Sequence, residues 1–227
     1  MTATIKICGL STPEAVDRAA DLKADMAGFI FFPKSPRHVA VGTAAELAAR
    51  ARARGLETVA VSVDMDDAGL DEIVATVRPD WLQLHGEESP ERVSALKARF
   101  GLPVMKALAI REAPDLEAIA PYIGVADRFL FDAKPPKGSD LPGGNGVSFD
   151  WRLLARLDEG LDYMLSGGLT KDNVGEALTI SGAPGIDVSS GVESAPGVKD
   201  LAMIDAFVRA VRDAETMTPE RDGFRSK

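Results

Sequence analysis

Short apolar runs alternate with longer amphipathic stretches along almost the whole chain, and this alternation constrains the fold more than any other feature. The apolar runs are Thr4 to Cys8, Met26 to Phe32, Thr58 to Asp64, Trp81 to His85, Val104 to Ala109, Arg128 to Asp132, Tyr163 to Ser166 and Ile186 to Ser189. Each is strand-sized, and helical stretches such as Pro13 to Lys23, Ala44 to Arg54 and Leu201 to Arg212 lie between or after them. Ser11 or Thr12 caps the first helix and Pro13 occupies its first turn. Eight βα units in 227 residues predict a compact (β/α)8 barrel, whose usual size is about 250 residues and whose lower limit is about 200. A doubly wound open sheet ranks second, because the first strand is followed by GLSTPEA and not by a glycine-rich dinucleotide fingerprint. Residues 1–214 are read as one barrel domain, and Glu215 to Lys227 as a frayed polar tail.

Charge and cysteine usage narrow the class. The 26 Lys and Arg against 35 Asp and Glu give a net charge of -9, which disfavours a broad surface for nucleic acid or an acidic membrane. No apolar stretch approaches the roughly 18 residues of a membrane helix, and the start MTATIKICGL lacks an export signal, so a cytoplasmic location is expected. The single cysteine, Cys8, excludes an intrachain disulfide and a multi-cysteine metal site.

Catalytic groups of a barrel sit at the C-terminal strand ends. Here those ends read IKICG, VSVD, LQLHG, LFDAK, LSGG and DVSSG. Side-chain alternation places Lys6 with Cys8, Gln83 with His85, and Asp187 with Ser189. Cys8 suits a nucleophile or general base if a cation lowers its pKa, and Lys6 is the candidate cation; its bland alternative is a small buried hydrophobe. Asp132, desolvated by Phe129, Phe131 and the barrel wall, suits a general acid, or else pairs with Lys134 or a backbone amide. The only histidines, His38 and His85, lack metal spacing, so no metal is expected and His85 is read as a hydrogen-bonding group.

Two glycine-bearing loops, SGGLTKDN and SSGVESAPG, follow the seventh and eighth strands, where barrel enzymes often bind phosphate. KGSDLPGGNGVSFDW, the longest loop, is a candidate lid or a connector. In PKSPRHV, Lys34 and Arg37 sit at the same rim, and Arg37 can pair with a carboxylate or remain a solvated charge.

KICGL at 6–10, FIFFPKSPRHV at 29–39, LQLHG at 82–86, FDAKPPKG at 131–138, GGNGVSFDW at 143–151, SGGLTKDNV at 166–174 and DVSSGVESAPGVKD at 187–200 together resemble the phosphoribosylanthranilate isomerase family of tryptophan biosynthesis. The resemblance covers about residues 4–212. It implies an Amadori rearrangement of N-(5-phosphoribosyl)anthranilate with no cofactor, Cys8 as general base and Asp132 as general acid. It further implies Arg37 on the aromatic acid, with His85 and Asp187 also on the substrate, and phosphate on backbone amides around Gly167, Gly168, Ser190 and Gly191. The partner is then a small phosphorylated molecule, with the chain a monomer or homodimer. Asn145 between glycines and Thr170-Lys171-Asp172 after SGGL depart from the usual family pattern and bear on loop details only. The histidine-pathway isomerase, which generally uses two aspartates, is the nearest rival, and a non-catalytic phosphate-binding barrel is the rival of a different class.

Overall fold

The computed structural model describes residues 2–134, 143–144, 146–158 and 160–217. Eight parallel strands close on themselves: β1 (Thr4–Cys8), β2 (Met26–Phe31), β3 (Glu57–Ser62), β4 (Trp81–Leu84), β5 (Val104–Ile110), β6 (Arg128–Ala133), β7 (Tyr163–Leu165) and β8 (Gly185–Val188). β8 pairs with β1, so the barrel leaves no open edge. All eight expected strands form, with ends shifted by up to two residues.

Helices α1 (Pro13–Asp21), α2 (Val41–Ala53), α3 (Asp67–Val77) and α4 (Pro90–Phe100) follow the first four strands. Their starts follow local chemistry. Thr12, rather than Ser11, caps α1 by accepting from the Ala15 amide, with Pro13 in the first turn. Asp66 and Ser89 cap α3 and α4 in the same way.

The fifth and sixth units depart from regular α-helix. Geometry of the 3-10 type spans Ala113–Tyr122 and Trp151–Arg156. Pro121 inside the first segment has no N–H to give a longer-range bond, and the second segment is only six residues long. α5 (Val174–Ser181) follows β7. After β8 the chain makes a turn at Ser190–Val192 and a small antiparallel hairpin, β9 (Glu193–Ala195) and β10 (Val198–Lys199), before α6 (Leu201–Met217). α6 runs past the expected end at Arg212. Glu215 accepts from the Ala3 amide at 2.6 Å and from Arg212 at 3.0 Å, which ties this turn to the foot of β1; residues 218–227 lie outside the described residues.

Strand alternation divides the interior into two layers. Ile5, Ile7, Phe29, Phe31, Phe129, Phe131 and Ile186 face outward into the layer shared with the helices. Cys8, Met26, Val59, Val61, Met105, Ala107, Leu130 and Met164 fill the barrel itself. At its N-terminal end the Arg128 guanidinium lies 4.8 Å from the Trp81 ring centroid, and Trp81 donates to Glu57.

Candidate active site

The C-terminal mouth holds a pocket, open to solvent, bordered by Cys8, Arg37, His85, Asp132, Gly167, Gly168, Asp187, Ser190 and Gly191. The residues expected to carry catalysis, substrate binding and phosphate binding therefore border one cavity. Ile30, Phe32, Val61 and Val63 supply an apolar wall. Lys34 and His38 are exposed and are not among the lining residues. Gly143 and Gly144 are the described part of the long loop that reaches the pocket; most of KGSDLPGG and Asn145 lie outside the described residues.

Lys6 and Asp187 are partners in the β1–β8 register, so both point into the lumen at the same level. Lys6 Nζ donates to Asp187 Oδ1 at 2.7 Å, and Ser166 Oγ donates to Oδ2 at 3.1 Å. Burial alone would draw the Lys6 ammonium down, yet Asp187 and Cys8 hold it above the ordinary lysine value. One level higher, Cys8 is 5% exposed. Burial pushes its thiol above the usual value, and the Lys6 charge offsets only part of this because Asp187 opposes it. Lys6 lowers this thiol in the expected direction, but burial outweighs it, and Asp187, 2.7 Å from the ammonium, opposes it as well.

Asp132 is 4% exposed, with Oδ1 accepting from the Ala133 amide at 2.9 Å. Its desolvation does not come from Phe129 and Phe131. Those rings belong to the outer layer because they alternate with Asp132 along β6, and the residue below it in the lumen is Leu130. Lys134 is not its partner either, since that ammonium pairs with Asp115. The neighbour of Asp132 is His85, whose Nε2 is 3.4 Å from Oδ2, while Nδ1 lies 2.9 Å from Gln83 Nε2.

Arg37 is buried and held by both prongs: Nε donates to Glu193 Oε1 at 2.8 Å and Nη2 to Oε2 at 2.9 Å. Lys199, from β10, adds 2.7 Å to the same carboxylate and donates to the Ser189 carbonyl at 2.9 Å. Burial favours a neutral Glu193, but Arg37 and Lys199 overcome it and hold the carboxyl below its ordinary range. Burial also lowers the Lys199 ammonium, with Glu193 opposing. Glu193 and Lys199 were not singled out in sequence as site residues. The available signal was the odd pairing of a glutamate with a nearby lysine in SSGVESAPGVKD, beside a loop already suspected of binding an anion.

The two glycine loops meet at the pocket floor. Gly167 and Gly168 adopt φ of +91° and +63°, in the left-handed region that favours glycine. A Cβ on Gly191 would fall 1.8 Å from the Leu169 carbonyl oxygen, so only glycine lets the loops after β7 and β8 approach this closely. The approach leaves backbone at both loops facing the cavity. Among the described residues no cluster of three or more His, Cys, Asp or Glu is arranged to hold a metal, and no helix is long and apolar enough to cross a membrane.

A closed parallel barrel whose open end gathers a thiol, two carboxylates, an imidazole, an arginine and two glycine loops has the architecture of a (β/α)8 enzyme. The model of the N-(5'phosphoribosyl)anthranilate isomerase family matches residues 5–210, and the chain belongs to that family. It is similar to the N-(5'-phosphoribosyl)anthranilate isomerases of Brucella canis and Brucella abortus, each 68% identical over 214 residues, covering 94% of this chain and 96% of the relative. Among solved structures, the phosphoribosyl anthranilate isomerase of Thermotoga maritima is 30% identical with a TM-score of 0.83, covering 94% of this chain and 100% of its own. A phosphoribosyl anthranilate isomerase in complex with reduced 1-(o-carboxyphenylamino)-1-deoxyribulose 5-phosphate is 28% identical with a TM-score of 0.81, over 94% and 100% of the two chains.

Proposed function

We infer that this chain isomerises N-(5-phosphoribosyl)anthranilate to 1-(o-carboxyphenylamino)-1-deoxyribulose 5-phosphate in tryptophan biosynthesis, with Asp132 as general acid and Cys8 as general base. The activity is that of the family and of relatives 68% identical across nearly the whole chain. The observation that carries the two roles is the placement of Cys8 on β1 and Asp132 at the end of β6, bordering one pocket.

In this reaction Asp132 donates its proton to the furanose ring oxygen as the C1–O bond breaks, leaving an open-chain iminium. The electron-poor C1 acidifies the C2 hydrogen, and the Cys8 thiolate removes it. The resulting enolamine tautomerises to the ketone. Each proton transfer is worth about 10² to 10⁴ in rate. Burial pushes the Cys8 thiol up; a bound substrate that develops positive charge at C1 favours the thiolate, with the thiol proton passing to solvent.

The ends of the substrate have matching surfaces. Arg37 has its Nη1 without a partner among the described residues, and this edge receives the anthranilate carboxylate. The apolar wall from Ile30 to Val63 accepts the aromatic ring. Backbone amides around Gly167, Gly168, Ser190 and Gly191 take the phosphate, with His85 and Asp187 near the sugar. The protein is proposed to act in the cytoplasm, as a monomer or homodimer, on a small phosphorylated substrate and without a cofactor.

Turnover is measured by loss of the fluorescence of N-(5-phosphoribosyl)anthranilate. Steady loss at catalytic enzyme concentration supports the assignment; stoichiometric binding without loss makes the barrel a binding module and overturns it.

A further inference from the structure

Gln83 is fully buried on β4, one level beneath His85, which follows the end of that strand. Its neighbours in register on β3 and β5 are Val61 and Met105, neither of which offers a side-chain hydrogen bond. Its only polar side-chain contact is Nε2 to His85 Nδ1 at 2.9 Å, and Oε1 has no partner among the described residues. An amide buried at the cost of an unsatisfied oxygen is a poor packing residue, and a methionine or leucine would fill the same lumen without that cost. The contact with the imidazole is what the amide contributes.

The polarity of the contact follows from the orientation of the amide, whose Nε2 and not Oε1 faces the ring. An amide nitrogen donates, so Nδ1 of His85 accepts and the ring carries its proton on Nε2. Nε2 is the atom 3.4 Å from Asp132 Oδ2. The other carboxylate oxygen is already held by the Ala133 amide. We propose that Gln83 is a positioning residue that holds His85 as its Nε2–H tautomer, so that the imidazole faces Asp132 as a hydrogen-bond donor.

The inference rests on Asp132 as the acid of the reaction. Once Asp132 has passed its proton to the ring oxygen, it is a carboxylate in a buried site. With Nε2–H toward Oδ2 and the Ala133 amide on Oδ1, both oxygens of the new anion have donors. The opposite tautomer would set a nitrogen lone pair against the anion as it forms. His85 keeps its own proton throughout, and no further bond is made or broken.

The chain has two histidines, and His38 is exposed and does not line the pocket. In a His38→Gln background with 15N-histidine, long-range 1H–15N spectra at a pH where the ring is neutral therefore report His85 alone. The expected spectrum has a protonated Nε2 and an unprotonated Nδ1. Gln83→Glu, which accepts from Nδ1, is expected to place a proton there and to lower kcat at least about tenfold with KM within about threefold. Gln83→Met is expected to give a mixture of tautomers with a smaller loss in kcat, and it serves if the glutamate variant does not fold. A wild-type spectrum with the proton on Nδ1 overturns the proposal. So does a Gln83→Met protein with the wild-type spectrum, or one with wild-type kcat. Asp132→Asn with normal turnover would instead remove the acid assignment and leave the His85 spectrum informative on its own.

Discussion

Arg37 and Glu193 are joined by both prongs of the guanidinium, at 2.8 Å and 2.9 Å, although they arise from the loop after β2 and the hairpin after β8. Arg37 therefore does not wait at the rim as a solvated charge; it is fixed by a carboxylate whose side chain is 3% exposed. Lys199 on the same carboxylate makes a buried cluster of two cations and one anion. Such a cluster is well prepared for a second anion, which the substrate carboxylate would supply.

Removing Glu193 leaves Arg37 and Lys199 buried without their counter-ion. Glu193→Ala is expected to destabilise the fold by about 3 to 5 kcal/mol, by the usual cost of breaking a buried pair, and denaturant melts check it. The pH dependence has a definite sign. Because the folded-state carboxyl is held below the ordinary glutamate value, its contribution is present above about pH 4.5 and is lost as pH falls through the folded pKa. Glu193→Gln is expected to show a shallower loss of stability in that acid window.

Arg37→Ala is expected to raise KM at least about tenfold for the full substrate, with any fall in kcat reflecting looser orientation. An analogue lacking the aromatic carboxylate should show little difference between wild type and variant. Unchanged KM for the full substrate would place the carboxylate elsewhere.

Lys6 and Asp187 stabilise the lumen only as a pair. Lys6→Met strands a carboxylate that Ser166 alone cannot satisfy, and is expected to cost about 3 to 5 kcal/mol. Adding Asp187→Leu should recover much of that loss in a double-mutant cycle, though not activity, because Asp187 also borders the pocket.

Cys8, the chain's one cysteine, can be followed by alkylation without interference. Its thiol lies above the ordinary value because of burial. The alkylation rate is therefore expected to rise with a midpoint more alkaline than that of a free thiol, about pH 8.5, and reduced product analogue should protect it. A midpoint below neutrality would show that Lys6 dominates after all.

Much of this was legible in the sequence because strand ends and alternation are local properties. Cys8, His85 and Asp132 each close an apolar run, and the period of two put Lys6 beside Cys8 and Gln83 beside His85. The same period, applied to β6, places Phe129 and Phe131 on the face opposite Asp132, a consequence the desolvation expectation overlooked. What local pattern could not supply is partnership across distant segments. Lys6 meets Asp187 only when β8 closes against β1, and Arg37 meets Glu193 across 156 positions. The 3-10 segments of the fifth and sixth units, one holding Pro121 and the other only six residues long, leave the strand order of the βα repeat unbroken.

The most direct measurement is single-turnover kinetics of Asp132→Asn, expressed per folded molecule from a parallel thermal melt. Asparagine keeps the shape and a hydrogen bond to the ring oxygen but has no acidic proton to give. Turnover is expected to fall at least about 10² with substrate still bound. Normal specific activity in the folded Asp132→Asn protein would contradict the acid assignment.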